Sequence, residues 1–286
     1  MTISHPDTQV GPGANGTKGG PPASGAGDRR RRRRVSGPLI SVLSIAVLVI
    51  AWYLLTDLFA VIPPLYFPSM QQAWQVITQL GSTLLVDAGA TAYRVVISWV
   101  IGCAVGVLIG VLMSRNRVVF YAVNPIVEAL RPVPIIAFIP FTLLWFGLSD
   151  LGRIVLGVLV TAMIMIVSTT GAARNVSPVQ IRAAQTLGAT GPQVYRTVVL
   201  PAIFPTLVAS LRVAAGFAWA VIVGAEFLGA QNGIGYLLLQ ASNSVDTAIV
   251  LVGTVVVGVE AFIFDQLLRL ATNHFTRWVD RMSGHG

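Results

Sequence analysis

The sequence predicts an all-α integral membrane protein of about six transmembrane helices, and three observations carry that expectation. Charged residues make up 10% of the chain, where soluble domains carry about 25%. With 55% apolar residues and a mean hydropathy of +0.76, most of the chain has hydrocarbon as its solvent. The apolar residues gather in runs of about 20 to 25, long enough as helices to cross about 30 Å at about 1.5 Å per residue. Arginines mark alternate ends of these runs, which by the positive-inside rule puts both termini in the cytoplasm.

Residues 1–36 are rich in Gly, Pro, Ser and Thr and end in six consecutive arginines, Arg29 to Arg34. So little apolar content cannot bury a core, so a disordered tail is expected. An apolar run follows at once, which makes the arginines a juxtamembrane anchor against anionic lipid rather than a nucleic-acid site. They lie too far into the chain for a cleavable signal peptide. The net charge of +8 is concentrated in this tail and the inner loops.

The first span is expected at 39–62, with Trp52 and Tyr53 in its outer half and Pro63-Pro64 at its end. No Lys or Arg occurs between Val35 and Tyr93, which places this region outside. Pro68-Ser69-Met70 opens a short amphipathic stretch over 71–80 along the outer surface. The second span, 90–113, carries Gly102, Gly106 and Gly110 at every fourth position. These share one helix face, so a neighbouring backbone can pack closely. The third region, 118–147, contains Pro125, Pro132, Pro134 and Pro140, with Glu128 and Arg131 among them. Irregular backbone at membrane depth is tolerated where it is buried in protein or lines a cavity. The fourth, fifth and sixth spans are expected at 154–173, 206–228 and 246–270. Arg94 and Arg153 fall on the outer side against the charge rule, and are expected to snorkel to the interface.

Between the fourth and fifth spans lies a polar island, 176–205. Ser177, Pro178 and Gln180 read as a capping box with a proline start, and Gly188 as a left-handed helix end. Gly191-Pro192-Gln193 starts a second short helix, which Pro201 and Pro205 are expected to break. The result is a helix–turn–helix elbow on one membrane face. Its residues Arg182-Ala183-Ala184, Gly188-Ala189, Val198, Leu200 and Pro201 resemble the cytoplasmic loop of permeases in ATP-driven, binding-protein-dependent importers. That loop reads E-A-A, three residues, G, nine residues, I-x-L-P. Here Arg182 stands where the family has an acidic residue. Phe67-Pro68-Ser69, Arg131-Pro132-Val133-Pro134, Trp145-Phe146-Gly147, Ala225 to Gly229 and Gly233 to Tyr236 are similar to the branch importing nitrate, sulfonates and taurine.

The resemblance implies a type I importer permease fold. Its expected organisation is a tail (1–36), a first transmembrane helix with an extracytoplasmic segment (37–84), a permease domain with coupling loop 176–205 (85–272) and a cytoplasmic C-terminal tail (273–286). It also implies a multi-pass cell-membrane protein paired as a homodimer, two copies of an ATP-binding subunit and an extracytoplasmic solute-binding protein. No cofactor is expected in this chain, and ATP and Mg would belong to the ATPase. The only lysine, Lys18, lies in the tail, and no phosphate-binding Gly-x-x-x-x-Gly-Lys motif occurs. His5, His274, His285 and Cys103 are scattered, so no metal site or catalytic residue is expected. Ionisable residues at membrane depth are functional candidates: Glu226, Arg212, Glu260 and Arg131. Arg212 and Glu260 are expected to share a depth and pair. Nitrate, sulfonate, taurine, bicarbonate and a pyrimidine vitamin precursor stay open as solutes, and a gradient-driven carrier or channel is the alternative to an importer.

Overall fold

The computed structural model describes residues 37–59, 63 and 65–283, so the tail of 1–36 and its expected disorder lie outside the described residues. The chain divides into two units, 1–47 and 48–286. In the first, the described residues are the opening turns of helix α1 (Gly37–Tyr53). The second holds everything else.

Helix α1 ends in a π turn, Leu54–Leu58, and Val42–Leu58 is apolar but short for a span. Helix α2 runs from Met70 to Arg115 with a kink at Gly81, whose φ is +41°. It opens with a reciprocal cap: Gln72 N–H donates to Ser69 Oγ (3.2 Å), and Ser69 N–H donates to Gln72 Oε1 (3.0 Å). The stretch 71–80 is thus the first arm of a kinked helix. Then come α3 (Arg117–Leu130), a break, a 3-10 turn (Ile135–Phe138) and α4 (Ile139–Phe146). The two arms of this third region are bent by 90°. Helix α5 spans Asp150–Arg174, and α6 (Pro178–Thr186) and α7 (Gly191–Val194) form the elbow. Helix α8 spans Leu200–Gly229, α9 Ile234–Asn243 and α10 Thr247–Ser283.

Among the described residues, four helices are long and apolar enough to cross a membrane, and the bent pair makes up to five. One of them runs unbroken over Gly191–Gly229, so Pro201 and Pro205 do not break the chain as expected. The reason is a π turn at Tyr195–Val199. Leu200 N–H donates to the Tyr195 carbonyl across this wider turn, and Pro201 follows at the first positions of α8, so the missing donor falls at the junction of the two hydrogen-bond registers and does not end the helix.

Helix α5 is the centre of the bundle: half of its apolar window is buried, against 11% for α10. Its closest neighbour is α2. A Cβ on Gly102 would stand 2.6 Å from the Val158 carbonyl oxygen, and one on Gly106 2.6 Å from that of Ala162. At Gly110 it would meet Thr169 Cβ at 2.6 Å. Gly157 on α5 reciprocates against Ser98. Two helices can approach this closely only where side chains are missing. The Thr161 hydroxyl donates to the Ser98 carbonyl (3.3 Å) and that of Thr170 to the Gly110 carbonyl (3.4 Å), tying the same seam. Helix α8 packs on both: Ala214 joins Cys103 and Met165, while Val221 and Ala225 join Leu156 and Val160.

Gly106→Val should therefore force α2 from α5 and cost about 1–3 kcal/mol, whereas Gly216→Ala, with nothing within 4 Å, should be neutral. Thermal unfolding of the detergent-solubilised chain checks this, and equal melting temperatures for the two variants would refute the seam.

Candidate functional site

Three features stand out: the elbow at one end of the bundle, a charged cluster at the other, and a cavity between them.

The elbow is rigid for reasons its residues make plain. Helix α6 ends in a Schellman motif: Gly188 N–H donates to the Gln185 carbonyl (2.9 Å) and Ala189 N–H to the Ala184 carbonyl (3.1 Å). Gly188 sits at φ +84°, where a side chain is strained. The spacing Ala184, Gly188, Ala189 is the spacing of this turn. Ser177 makes no side-chain cap, so the capping box expected there does not form; Pro178 alone opens α6. The cap forms instead at Thr190, whose N–H (2.7 Å) and hydroxyl (2.9 Å) both donate to Gln193 Oε1. Val176, Val199 and Ile203 make a small core that joins the elbow to α5 and α8. Tyr195 OH meets Ser114 Oγ at 2.6 Å and fastens it to the end of α2. Around this core lies an open groove of about 860 Å³, lined in part by Ala183, Val198 and Pro201. Arg182 and Leu187 are exposed on the elbow's surface.

At the far end, Glu226 is fully buried. Its carboxylate accepts from Arg94 Nη1 (2.6 Å), from the Thr91 hydroxyl (3.0 Å) and from Gly235 N–H (2.8 Å). Arg94 Nε also donates to Asp150 Oδ1 (2.8 Å), which accepts from Arg153 Nη1 (2.6 Å). Asn232 accepts from Arg94, and the Gly229 carbonyl accepts from Arg153. The first turn of α9 completes the cluster. Gly233 N–H donates to Asp87 Oδ1 (2.8 Å) and Ile234 N–H to Thr91 Oγ1 (2.9 Å), so these helix-start donors are satisfied by side chains from α2. A Cβ at Gly233 would lie 2.6 Å from Glu226 Oε1, and one at Gly235 2.5 Å from the Val223 carbonyl oxygen.

Arg94 and Arg153 thus do not snorkel. Both are buried, because two carboxylates lie within reach at the same level. The signal for this cluster was present in the sequence: two arginines and two carboxylates sit near the same ends of the apolar runs. Arg94 and Arg115 stand twenty-one residues apart, as do Arg153 and Arg174, or about 31 Å along a helix. The cluster and the elbow therefore bound a layer about one hydrocarbon core thick.

Arg212 and Glu260 do not pair. Arg212 forms a two-pronged bridge to Asp265, with Nε at 2.8 Å and Nη2 at 2.7 Å. Helix α8 begins before the fifth apolar run and α10 continues beyond the sixth, to Ser283, and the level of Arg212 is that of Asp265, five residues and more than a turn beyond Glu260 on α10. Glu260 Oε2 is buried without a hydrogen-bond partner.

The cavity has a volume of about 510 Å³ and lies between the break after α3 and the middles of α5 and α8. Arg131 and Ser168 are the polar side chains on its wall. Among the described residues no cluster of His, Cys, Asp or Glu could hold a metal ion.

Residues 102–277 match the family described as binding-protein-dependent transport system inner membrane component. The chain is 31% identical to the taurine transport system permease protein of Escherichia coli (strain K12), over 84% of this chain and 89% of that one. It is 26% identical to the nitrate import permease protein of Leptolyngbya laminosa, over 70% and 74%. Among solved structures it resembles a bacterial alginate ABC transporter crystallised with its alginate-bound periplasmic protein, with a TM-score of 0.54 and 18% identity over 84% of this chain and 95% of that one.

Glu226→Ala would leave Arg94 and the α9 start without their shared acceptor, at a cost of about 3–5 kcal/mol. Asp150 is half exposed, but its partners Arg94 and Arg153 are buried. Arg94 keeps Glu226, so Asp150→Ala should cost less than Glu226→Ala, about 1–3 kcal/mol. Melting temperatures of the purified variants test the ranking; equal losses would overturn it.

Proposed function

The chain belongs to the family of binding-protein-dependent transport inner membrane components, and from that premise we propose that it forms the membrane pathway of an ATP-driven importer of small anions, with the elbow as its docking surface for a separate ATPase. It is a multi-pass membrane permease subunit with a type I importer fold, not an enzyme.

The observation that carries the coupling role is the elbow's construction. A surface that receives force from a partner must not yield locally. The Schellman turn, the Thr190–Gln193 cap and the Val176–Val199–Ile203 core make it a stiff block joined to α5 and α8. Displacing that block moves both helices, and they form two walls of the Arg131 cavity. On this reading the elbow and both chain termini face the cytoplasm, and two ATPase subunits with ATP and Mg grip the elbows of two permease copies. A solute-binding protein delivers the anion to the charged end. Arg182, where an acidic residue is usual in the resembling loop, meets the ATPase groove with the opposite charge. The anionic solute is supported by relatives named for taurine, aliphatic sulfonates and nitrate.

Gly188→Val should keep the chain folded, since no atom lies within 4 Å of its Cβ position, yet strain the turn and deform the docking surface. Solute-stimulated ATP hydrolysis in the reconstituted complex should fall by about tenfold or more, while Gly191→Ala stays near wild type. A chain that purifies from its native membrane without an ATPase and carries flux without ATP would refute the importer reading.

A further inference from the structure

We propose that the cavity at the break after α3 is an anion-binding site, with Arg131 as the residue that holds the charge, and that its ligand is a small organic monoanion with an apolar body. The inference rests on the reading of this chain as an anion importer and adds the site and the shape of the ligand.

The first argument is electrostatic. The ion pairs among the described residues neutralise Arg94, Arg153 and Arg212 with carboxylates. Arg131 belongs to none of them. Glu128, one turn earlier on α3, lies beyond ion-pair distance and does not line the cavity. Yet Arg131 shares the cavity wall with Val160, Met163 and Ile164 of α5 and with Ala220 and Val221 of α8. These positions lie in the middles of helices that span Asp150–Arg174 and Leu200–Gly229. Arg131 is itself exposed, so its guanidinium is open to whatever enters the cavity and is held by no carboxylate. Arg131 caps the C-terminus of α3, whose carbonyls supply about half a negative charge. The larger part of the charge remains for a ligand.

The second argument is the backbone. Arg131 is followed by Pro132 and Pro134, and the chain turns through 90° there. Irregular backbone at membrane depth survives where it lines a cavity. The prolines fix the turn, so Arg131 sits on a stiff rim rather than a mobile loop.

The third argument concerns the ligand's body. The wall carries one cation, one hydroxyl (Ser168) and otherwise apolar side chains, with Phe217 among them. A bare inorganic oxyanion needs donors on every side. This wall offers a single charged fork, suited to a planar or tetrahedral anionic head, and an apolar remainder suited to a short hydrocarbon tail. The volume of about 510 Å³ lies within the range of small-molecule sites.

The test needs no knowledge of the natural solute. In the full-length chain carrying Cys103→Ala and Ala220→Cys, with its co-purifying partners, in nanodiscs of zwitterionic lipid, the thiol is labelled by two methanethiosulfonates. One carries a sulfonatoethyl group and the other a trimethylammonioethyl group. The anionic reagent should react faster by about tenfold or more, through focusing of its charge at Arg131. Arg131→Gln should bring the ratio towards one, and Arg131→Lys should keep most of it, which separates lost charge from lost fold. Butanesulfonate should protect the thiol at concentrations where nitrate does not. Equal rates for the two reagents, or a ratio unchanged by Arg131→Gln, would overturn the site; equal protection by nitrate would overturn the apolar body. If added phosphatidylglycerol alone abolished the bias, a lipid headgroup would occupy Arg131 and the solute site would fall. The labelling reads charge at the cavity without ATP, so it can fail while ATPase coupling stands, and the reverse.

Discussion

The structure hangs on one buried carboxylate. Removing Glu226 from water costs several kcal/mol, and so does removing Arg94. The chain recovers that cost only by bringing four elements to one point: α2 with Arg94 and Thr91, α5 with Asp150 and Arg153, α8 with Glu226, and the start of α9 with its N–H groups. Each partner limits its neighbours. Gly233 and Gly235 must lack side chains because the carboxylate occupies that space. Asn232 must stay on its short loop to reach Arg94. The turn between α8 and α9, which has no apolar packing stripe of its own, is fixed by charge.

The seam between α2 and α5 works in a complementary way. It holds through the absence of side chains and contains no charges. Together the seam and the cluster make α2, α5 and α8 one body, and at the other end the Val176–Val199–Ile203 core joins α5 and α8 to the elbow. Tyr195 and Ser114 return the elbow to α2. The cavity lies where α3 and α4 meet at their 90° bend, each still packed on the bundle through Val127 and Ile139. In the proposed mechanism this is where a displacement at the elbow would change the walls around a solute.

Much of this was legible in the sequence where the cause was local. Gly188 ends α6 because a left-handed residue is needed four positions after Ala184, and that requirement is written in adjacent residues. The glycine face of α2 was readable because its period of four equals about one helical turn. What failed was long-range. Arg94 read as a stray interfacial charge, because nothing local says that Glu226, more than a hundred residues further on, will meet it. Arg153 pairs with Asp150, one turn before it, but is buried only because the Gly229 carbonyl, far along the chain, also accepts from it. Arg212 was assigned the wrong carboxylate because hydropathy marks where an apolar run ends, whereas α8 and α10 extend past their runs. Pro201 read as a break because a π turn leaves no signature in composition.

The equal intervals from Arg94 to Arg115 and from Arg153 to Arg174 also set how this chain meets bilayers of different thickness. A helix bundle usually absorbs hydrophobic mismatch by extending long basic side chains towards the headgroups at both faces. Here the guanidiniums of Arg94 and Arg153 are committed to Glu226 and Asp150 and cannot extend. Arg115, at the elbow end, is exposed and can. Mismatch is therefore taken up on one face alone. In a thicker membrane the lipid must thin around the charged cluster or the bundle must tilt, because the cluster cannot follow the headgroups.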